Sequence, residues 1–289
     1  MEKKQALSLA EQEKSLKPRR RYGYAKANEL IKTTAYHLSK IQQDILNYVL
    51  VTIKPDDKEF KPVDIVVQDY CRTMGIAEDD NYKLIREAVK GLADTSVWFV
   101  NVNGDGEFEE RTWRWIKEPI ATPGKFTVEL QDYWAPYLLN LGNIKKESEG
   151  YTVFTLEETV PMKSIYGRRT YELLKSYKKN RTGVMIITFT VEEYRKIILA
   201  KGKKGKEKEE YYKTKYKDFS NFRRKVLDKA IEDVNEYGDI KVTYKLRKEG
   251  YSYRYIDFVV EDKTLEEKML AWAKQEIYFS ERKKQKENI

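Results

Sequence analysis

The sequence contains almost no cysteine or histidine. Its 289 residues include one cysteine, Cys71, and one histidine, His37. One cysteine cannot close an internal disulfide, and it cannot supply the several thiolates of a structural zinc site. One histidine cannot supply the pair of metal-binding histidines that a rolling-circle nickase places beside its tyrosine. The scarcity of both residues therefore argues against a metal site and against that class of nuclease, and it fits a cytoplasmic protein.

Long apolar runs and nucleotide-binding motifs are also missing. No run approaches the roughly 18 uninterrupted apolar residues that a membrane-spanning helix needs. The first 21 residues lack the apolar segment of a secretory signal, which predicts a cytoplasmic chain with a solvated lead-in. The letters GKKGKE at 202–207 have neither the spacing nor the Ser or Thr of a phosphate-binding loop. We therefore expect no membrane partner, no cofactor and no enzymatic activity.

Basic residues are in excess. The chain has 56 Lys and Arg against 47 Asp and Glu, which gives a formal net charge of +9. Judged by charge alone, a surface with this balance attracts polyanions of either kind, nucleic acid or an anionic membrane. At 289 residues the chain has about twice the usual length of one domain, so we expect two domains, each with its own core.

The first half of the chain has the order helix, turn, helix, hairpin. Residues 38–53 place apolar side chains on one helical stripe, with Ser39 available as a cap. VQDYCRTMG and NYKLIREAVKGLAD are predicted to form the next two helices, with Asp79 and Asp80 as cap candidates for the second. The strands TSVWFVNV and RTWRWI flank the turn segment NGDGEFEE. A hairpin that follows a helix-turn-helix is typical of a winged-helix domain.

The second half repeats this order. Its predicted helices are SIYGRRTYELLKSY, VEEYRKIILA and DFSNFRRKVLDKAIEDVNE, and its hairpin joins IKVTYKL to YSYRYIDFVV. The pattern V-x-[DE]-Y-x-[RK] occurs at 67–72 and again at 191–196, at the same point of each half. The repetition predicts an α+β fold of two tandem winged-helix domains. We expect a flexible N-terminal segment at 1–24, the first domain at 25–145, the second at 146–262 and a charged C-terminal helix and tail at 263–289.

The helix at 219–234 is the best candidate for reading DNA. At about 100° per residue its apolar side chains gather on one side. The opposite face and its flanks carry polar side chains that can hydrogen-bond base edges or phosphates in the major groove: Ser220, Asn221, Arg224, Lys225, Asp228 and Lys229. Ordinary surface charge is the alternative explanation. Because Glu232 follows on the same face, we expect contact to weaken towards the C-terminal end.

Other basic residues surround this helix. Arg223 falls near the apolar side of the helical wheel, so its guanidinium needs a partner, either a phosphate or an internal carboxylate. The stretch 201–217 contains eight lysines and three glutamates, and it ends with Lys215 and Lys217 just before the helix. We predict that this stretch contacts phosphates; a solvated charge run is the alternative.

The corresponding helix of the first half has a weaker pattern. Lys83, Arg86 and Lys90 face outward, but Glu87 lies among them. We expect this face to hold phosphates weakly, or this domain to serve partly in protein contacts. At the other end of the chain, Thr264 and Glu267 have capping-box spacing, and the helix after them is expected to pack on the second domain. Its basic tail is expected to fray into solvent, with DNA contact as the alternative.

Three segments together resemble a known family. They are KANELIKTTAYHLSKIQQDILNYVL, SIYGRRTYELLKSY and YKDFSNFRRKVLDKAIEDVNEYGDIKVTYKLRKEGYSYRYIDFVV. Together they are similar to the iteron-binding replication initiators of theta-replicating plasmids, the RepA, RepE and pi type. The resemblance covers roughly residues 25 to 262. Its most specific part is the F-x-x-F-R-R-K-V-L-x-x-A-I-x-x-V-N helix with the hairpin that follows.

The resemblance implies two winged helices related by a pseudo-dyad. The second would make the stronger sequence-specific contacts through Asn221, Arg224 and Lys225. The first would add contacts through its outward basic residues and a dimer interface. The family also implies monomers that bind directly repeated iterons of the origin and help open an adjacent AT-rich segment. Its dimers would bind an operator inverted repeat, repress the gene and limit copy number, and host replication proteins such as helicase would be partners.

Two other functions stay open at this point. One is a winged-helix transcriptional regulator with no origin function, and the other is an adaptor that binds a host protein through aromatic residues. Directly repeated sites beside an AT-rich stretch would favour initiation, whereas a lone palindrome would favour regulation. An adaptor would bind DNA weakly and with little dependence on salt.

Overall fold

The computed structural model describes residues 22–34, 38–54, 57–76, 81–102, 108–143, 150–178, 182–199 and 215–287. The side chains of 96–112 and 282–287 are not part of this description. The expectations for His37, for the caps Asp79 and Asp80, and for most of the basic stretch, 201–214, fall outside these ranges. Within them, no helix is long and apolar enough to cross a membrane.

The first half contains the predicted helix-turn-helix and hairpin. Its elements are β1 (Gly23–Ala27), α1 (Asn28–Thr33), α2 (Lys40–Val51), β2 (Val63–Val66), α3 (Val67–Met74), α4 (Asn81–Asp94), β3 (Ser96–Val102), β4 (Phe108–Arg114), β5 (Ile120–Thr122), β6 (Lys125–Val128) and α5 (Ala135–Leu138). Strands β3 and β4 pair antiparallel and form the first wing. Strand β6 pairs with β2 on one side and with β5 on the other, which gives a small three-stranded sheet.

Local chemistry explains where these helices begin and end. Ser39 caps α2 as predicted: its hydroxyl accepts a hydrogen bond from the Gln42 backbone N–H. The Gln42 side-chain oxygen accepts one from the Ser39 backbone N–H, so the two residues form a capping box. Gly75 ends α3 in the left-handed conformation, with φ of 67°, which a residue with a side chain adopts only with strain. The chain therefore turns sharply after α3, as a helix-turn-helix requires.

The second half repeats the order of the first from its first strand through its hairpin, and β5, β6 and α5 have no counterpart in it. Its elements are β7 (Tyr151–Thr155), α6 (Leu156–Thr159), α7 (Ile165–Lys178), β8 (Met185–Thr190), α8 (Val191–Ile198), α9 (made of Phe219–Phe222, Arg223–Leu227 and Asp228–Tyr237), β9 (Ile240–Glu249), β10 (Ser252–Asp262) and α10 (Leu265–Glu287). Strand β10 lies between β8 and β9, antiparallel to both. The β9–β10 hairpin is the second wing, and we call α9 the recognition helix.

The repeated letters mark equivalent positions. Val67 and Val191 are the first residues of α3 and α8, and each helix follows directly after a strand. Tyr70 and Tyr194 stand at the fourth position of these helices, and both are buried in the core. The Tyr194 hydroxyl lies 2.6 Å from the Thr170 hydroxyl on α7, so its polar end is satisfied inside the domain. The predicted duplication is confirmed in its element order and in this buried tyrosine.

The recognition helix contains a π segment. Residues Arg223–Leu227 form it, and the Asp228 N–H donates to the carbonyl of Arg223, five residues earlier. A helix with this spacing turns more slowly per residue than an α-helix, so a wheel drawn at 100° misplaces side chains here. The expectation that Arg223 faces the apolar side is wrong for this reason: 53 % of its side chain is exposed. Phe222, Val226 and Leu227 are the residues that face the core.

The start of the described chain packs against the second half. Strand β1 pairs antiparallel with β7, with Gly23 opposite Thr155 and Ala27 opposite Tyr151. Gly23 and Tyr24 therefore belong to a strand, and the flexible segment predicted for 1–24 is too long at its C-terminal end. The pairing also crosses the domain boundary predicted at 145, so a sheet joins residues from both sides of it.

Helix α10 begins as predicted and packs on the second half. The Thr264 backbone N–H donates to the Glu267 carboxylate, and the Glu267 N–H donates to the Thr264 hydroxyl. Trp272 is buried, and the Gln275 side chain donates to the carbonyl of Tyr237 at the end of the recognition helix, at 2.6 Å. This confirms that the first part of the helix packs on the second domain.

Candidate nucleic-acid interface

A chain of hydrogen bonds orders the start of the recognition helix. Asp218 caps the helix: its carboxylate accepts from the backbone N–H of Ser220 at 3.0 Å and from Nδ2 of Asn221 at 3.0 Å. Oδ1 of Asn221 in turn accepts from Nη2 of Arg224 at 3.1 Å. The amide of Asn221 is therefore oriented, with its NH2 group towards Asp218 and its oxygen towards Arg224. Two side chains predicted to read bases thus lie side by side at this end of the helix.

Arg223 has an internal partner as well as an exposed end. Its Nε donates to the Tyr244 hydroxyl on β9 at 3.0 Å and lies 3.7 Å from the Asp228 carboxylate. The Tyr244 hydroxyl donates to Asp228. Burial, and next the hydrogen bond to Asp228, raise the pKa of Tyr244, so it stays protonated as a donor. Of the two partners expected for Arg223, a phosphate or an internal carboxylate, the structure shows the carboxylate, that of Asp228. The Asp228 carboxylate itself accepts from Tyr244 and is not directed outward.

The cations farther along the helix differ in how they are partnered. Lys225 is exposed and makes no hydrogen bond or ion pair with any other described residue. Lys229 is also exposed, but its Nζ lies 2.6 Å from the Glu232 carboxylate. This hydrogen bond raises the pKa of Lys229 and lowers that of Glu232. Positive charge that is open to a ligand therefore lies towards the N-terminal half of the helix, in accordance with the sequence pattern.

The described end of the basic stretch is held beside this helix. Arg195 on α8 donates to the carbonyl of Tyr216 at 2.8 Å, and its guanidinium stacks 4.5 Å from the ring centroid of Phe222. Lys217 is exposed, and Lys215 is half-buried, with Nζ 5.1 Å from the Tyr216 ring. Arg195 therefore fixes the point where the basic stretch enters the recognition helix.

The second wing adds residues that the sequence reasoning missed. Tyr251 is fully exposed beside Gly250, whose φ of 63° forms the tight turn. The pairing register shifts between Tyr253 and Tyr255, so Arg254 lies in a β-bulge. The shift turns Tyr253 towards the recognition helix, where its ring lies 4.9 Å from that of Phe219. The alternation of tyrosines and basic residues in RKEGYSYRY is the sequence pattern that could have indicated this surface.

The wing also carries open positive charge on the side of the recognition helix. Lys248 is exposed, and its Nζ lies 5.0 Å from the ring centroid of Tyr253. Arg247, on the other face, is held instead by Asp257 in an ion pair. Lys248 and the first two turns of the recognition helix therefore border the same angle between helix and wing.

The three basic residues predicted on the first domain share a face of α4. Lys83, Arg86 and Lys90 are all exposed, and Lys90 lies 3.3 Å from the Glu87 carboxylate. Leu84 is also exposed on this helix, at 52 %. Because an acid and an apolar side chain lie among the bases, this face is less suited to a phosphate backbone than that of the recognition helix.

Hydrogen bonds hold the C-terminal end of the recognition helix against neighbouring segments. Nζ of Lys263 donates to the carbonyls of Asn235 and Gly238, both at 2.6 Å. The Asp233 carboxylate accepts from the backbone N–H groups of Lys163 and Ser164 near the start of α7. These bonds supply partners to backbone groups that have no hydrogen-bond partner within their own helix at its ends. The helix is thereby held at its C-terminal end, while Ser220, Arg224 and Lys225 on the polar face of its N-terminal half are exposed.

Comparison with known proteins gives matches along most of the chain. The family model described as "Initiator Replication protein, WH1" matches residues 24–175, and the one described as "Initiator Rep protein, WH2" matches residues 210–260. A crystal structure of "Pi initiator protein in complex with iteron DNA" superposes with a TM-score of 0.67 at 20 % identity. The match covers 84 % of this chain and 98 % of that one. The likeness shows the same fold of two winged-helix domains.

Proposed function

Because the chain belongs to the initiator replication protein family, we propose that it starts plasmid replication by binding the iterons of the origin as duplex DNA. The observation that carries this proposal is the uncovered polar face of the recognition helix, with Arg224 and Lys225 exposed in its first half and a basic wing beside it. A helix placed in this way fits the major groove of duplex DNA. The superposed Pi initiator, whose crystal structure contains iteron DNA, supports the same target.

The residues divide into two roles. Asn221 and Arg224 can read base edges, since an oriented amide pairs with adenine and a guanidinium pairs with guanine. Ser220, Arg223, Lys225, Lys229, Lys215 and Lys217 surround them and are suited to phosphates, which fix the position of the protein on the duplex. On the first domain, Lys83, Arg86 and Lys90 would add a weaker set of backbone contacts. Asp228 acts through Tyr244 in this scheme and does not contact DNA.

The wider activity follows from initiation. Monomers bound to directly repeated iterons would help to open an adjacent AT-rich segment, and dimers bound to an operator inverted repeat would repress the gene and limit copy number. Helicase and polymerase activities would come from host proteins, so the chain itself would need no catalytic site or cofactor. This work would take place in the cytoplasm, where plasmid DNA replicates. The domain division at 145 and 262 and the pseudo-dyad between the domains are part of the same proposal.

A footprint on the plasmid that carries the gene tests this function. We expect protection of directly repeated sites by the full chain. The double variant Arg224→Ala, Lys225→Ala should lose this protection while its circular dichroism and melting temperature stay close to wild type, because both side chains are exposed. The variant Lys58→Ala, Lys61→Ala removes two exposed positive charges before β2 and serves as the matched control. Equal protection by the first variant and the wild type would remove the recognition helix from this role.

A further inference from the structure

Tyr244 connects the second wing, of which it is part, to the recognition helix. It lies on β9, half-buried, and its hydroxyl touches two residues of the helix at once. It accepts from Nε of Arg223 at 3.0 Å and donates to the Asp228 carboxylate. A hydroxyl has one donor and accepts further bonds, so both contacts are possible simultaneously and they fix its orientation.

The contact uses only one side of the Arg223 guanidinium. A guanidinium has five N–H groups, one on Nε and four on the two terminal nitrogens. The Nε group is bonded to Tyr244, and among the described residues the terminal nitrogens make no hydrogen bond. Because Nε is held, the rotation of the long side chain is restricted, and the two terminal nitrogens remain available to another acceptor. This arrangement leaves the fork that binds a phosphate in two parallel hydrogen bonds.

The backbone explains why Arg223 reaches the wing. It is the first residue of the π segment, which shifts it from the apolar side of the helix towards β9. π segments inside helices occur frequently at functional sites. An Arg223 on a regular α-helix would lie over the core, as the wheel predicted, and could not meet Tyr244 at an exposed edge.

We propose that Tyr244 is a positioning residue that holds Arg223 at the angle between helix and wing so that its terminal nitrogens bind a phosphate of the DNA. The proposal rests on the DNA-binding function above and adds a residue to it. Lys248 and the Phe219 to Tyr253 ring contact border the same angle, so the wing contributes positive charge where the phosphate would lie. Asp228 completes the arrangement by orienting the Tyr244 hydroxyl.

The salt dependence of binding separates a positioning role from a purely structural one. Each phosphate contact contributes about 0.9 to the slope of log K against log salt concentration. Tyr244→Phe keeps the ring in its packing place beside Phe258 and removes only the hydroxyl. We expect this variant to bind iteron DNA about tenfold more weakly and with a slope smaller by about 0.9, and Arg223→Ala to show the same changes. In the double variant the two effects should not add, because both remove the same phosphate contact.

Tyr255→Phe is the matched control. Tyr255 pairs with Arg247 on the other face of the wing, away from the recognition helix. The variant Tyr255→Phe removes the same hydroxyl group as Tyr244→Phe. It should keep the wild-type affinity and slope. If Tyr244→Phe also keeps both, or if its loss adds fully to that of Arg223→Ala, the positioning role is wrong. Failure of the DNA-binding function itself would look different, because the wild-type chain would then not distinguish iteron DNA from random duplex.

Discussion

At the scale of single residues, Lys263 couples the recognition helix to pH. Its side chain is buried, with 6 % of the residue exposed, and it donates to two carbonyls at the end of the helix. Burial lowers the pKa of Lys263 from 10.5 to about 8. In the unfolded chain the amine keeps its ordinary pKa. Between these two pKa values the unfolded state therefore binds more protons than the folded state.

This difference predicts a pH dependence of stability with a definite sign. Below pH 8 the folded state carries the full penalty of a buried ammonium, and the penalty decreases as the pH rises towards 10.5. The free energy of unfolding of the wild type, minus that of Lys263→Met, should rise between pH 8 and 10 by at most about 1.4 kcal/mol per pH unit. Urea unfolding of both proteins at each pH measures it. A difference that stays flat over this window would mean that Lys263 is not desolvated in solution.

At the scale of elements, the basic stretch before the recognition helix should act on all DNA sequences alike. Lys215 and Lys217 end this stretch, and Arg195 holds its last part against the helix. We expect Lys215→Gln, Lys217→Gln to reduce the salt slope by roughly one to two, with equal losses of affinity for iteron and random duplex. Fluorescence anisotropy at several salt concentrations gives both quantities. A loss confined to iteron DNA would show that these lysines read sequence, and an unchanged slope would leave the stretch as a solvated charge run.

Some elements and exposed side chains could be predicted from the sequence, and others could not. Helix α2, the capping boxes at Ser39 and Thr264, and the exposed Arg224 and Lys225 follow from periodicity and from local side-chain chemistry, so they were predictable. The π segment was not, because a shift from four-residue to five-residue hydrogen bonding has no signature in the spacing of apolar residues alone. The error at Arg223 follows from this. The role of Tyr244 was hidden for a related reason, since it depends on where the shifted side chain meets a strand 21 residues later.

At the scale of the whole molecule, buried charges join the start of the chain to the second half. Lys26 on β1 and Glu172 on α7 form an ion pair at 2.7 Å, with 3 % and 6 % of their side chains exposed. Arg168 on the same helix pairs with Asp44 on α2, and Arg169 donates to the carbonyls of Ile31 and Thr34. Contacts between residues more than 100 positions apart have no local sequence signal. The sequence therefore predicted two separate domains without showing how closely their elements are joined.

The Lys26 to Glu172 pair gives a test of this connection. Removing one partner leaves the other charge buried without its main counter-ion, which typically costs about 3–5 kcal/mol. Lys26→Met should therefore lower the free energy of unfolding by about this amount. Lys26→Met, Glu172→Met replaces both charges with apolar side chains and should recover part of the loss. The recovery should be incomplete, because Nη1 of the buried Arg169 lies 3.7 Å from the Glu172 carboxylate and also loses a counter-ion. Urea unfolding curves for the wild type, both single variants and the double variant measure the coupling. Single variants that unfold like the wild type would mean that β1 and α7 do not stay packed together in solution, and the two halves would then behave as independent domains.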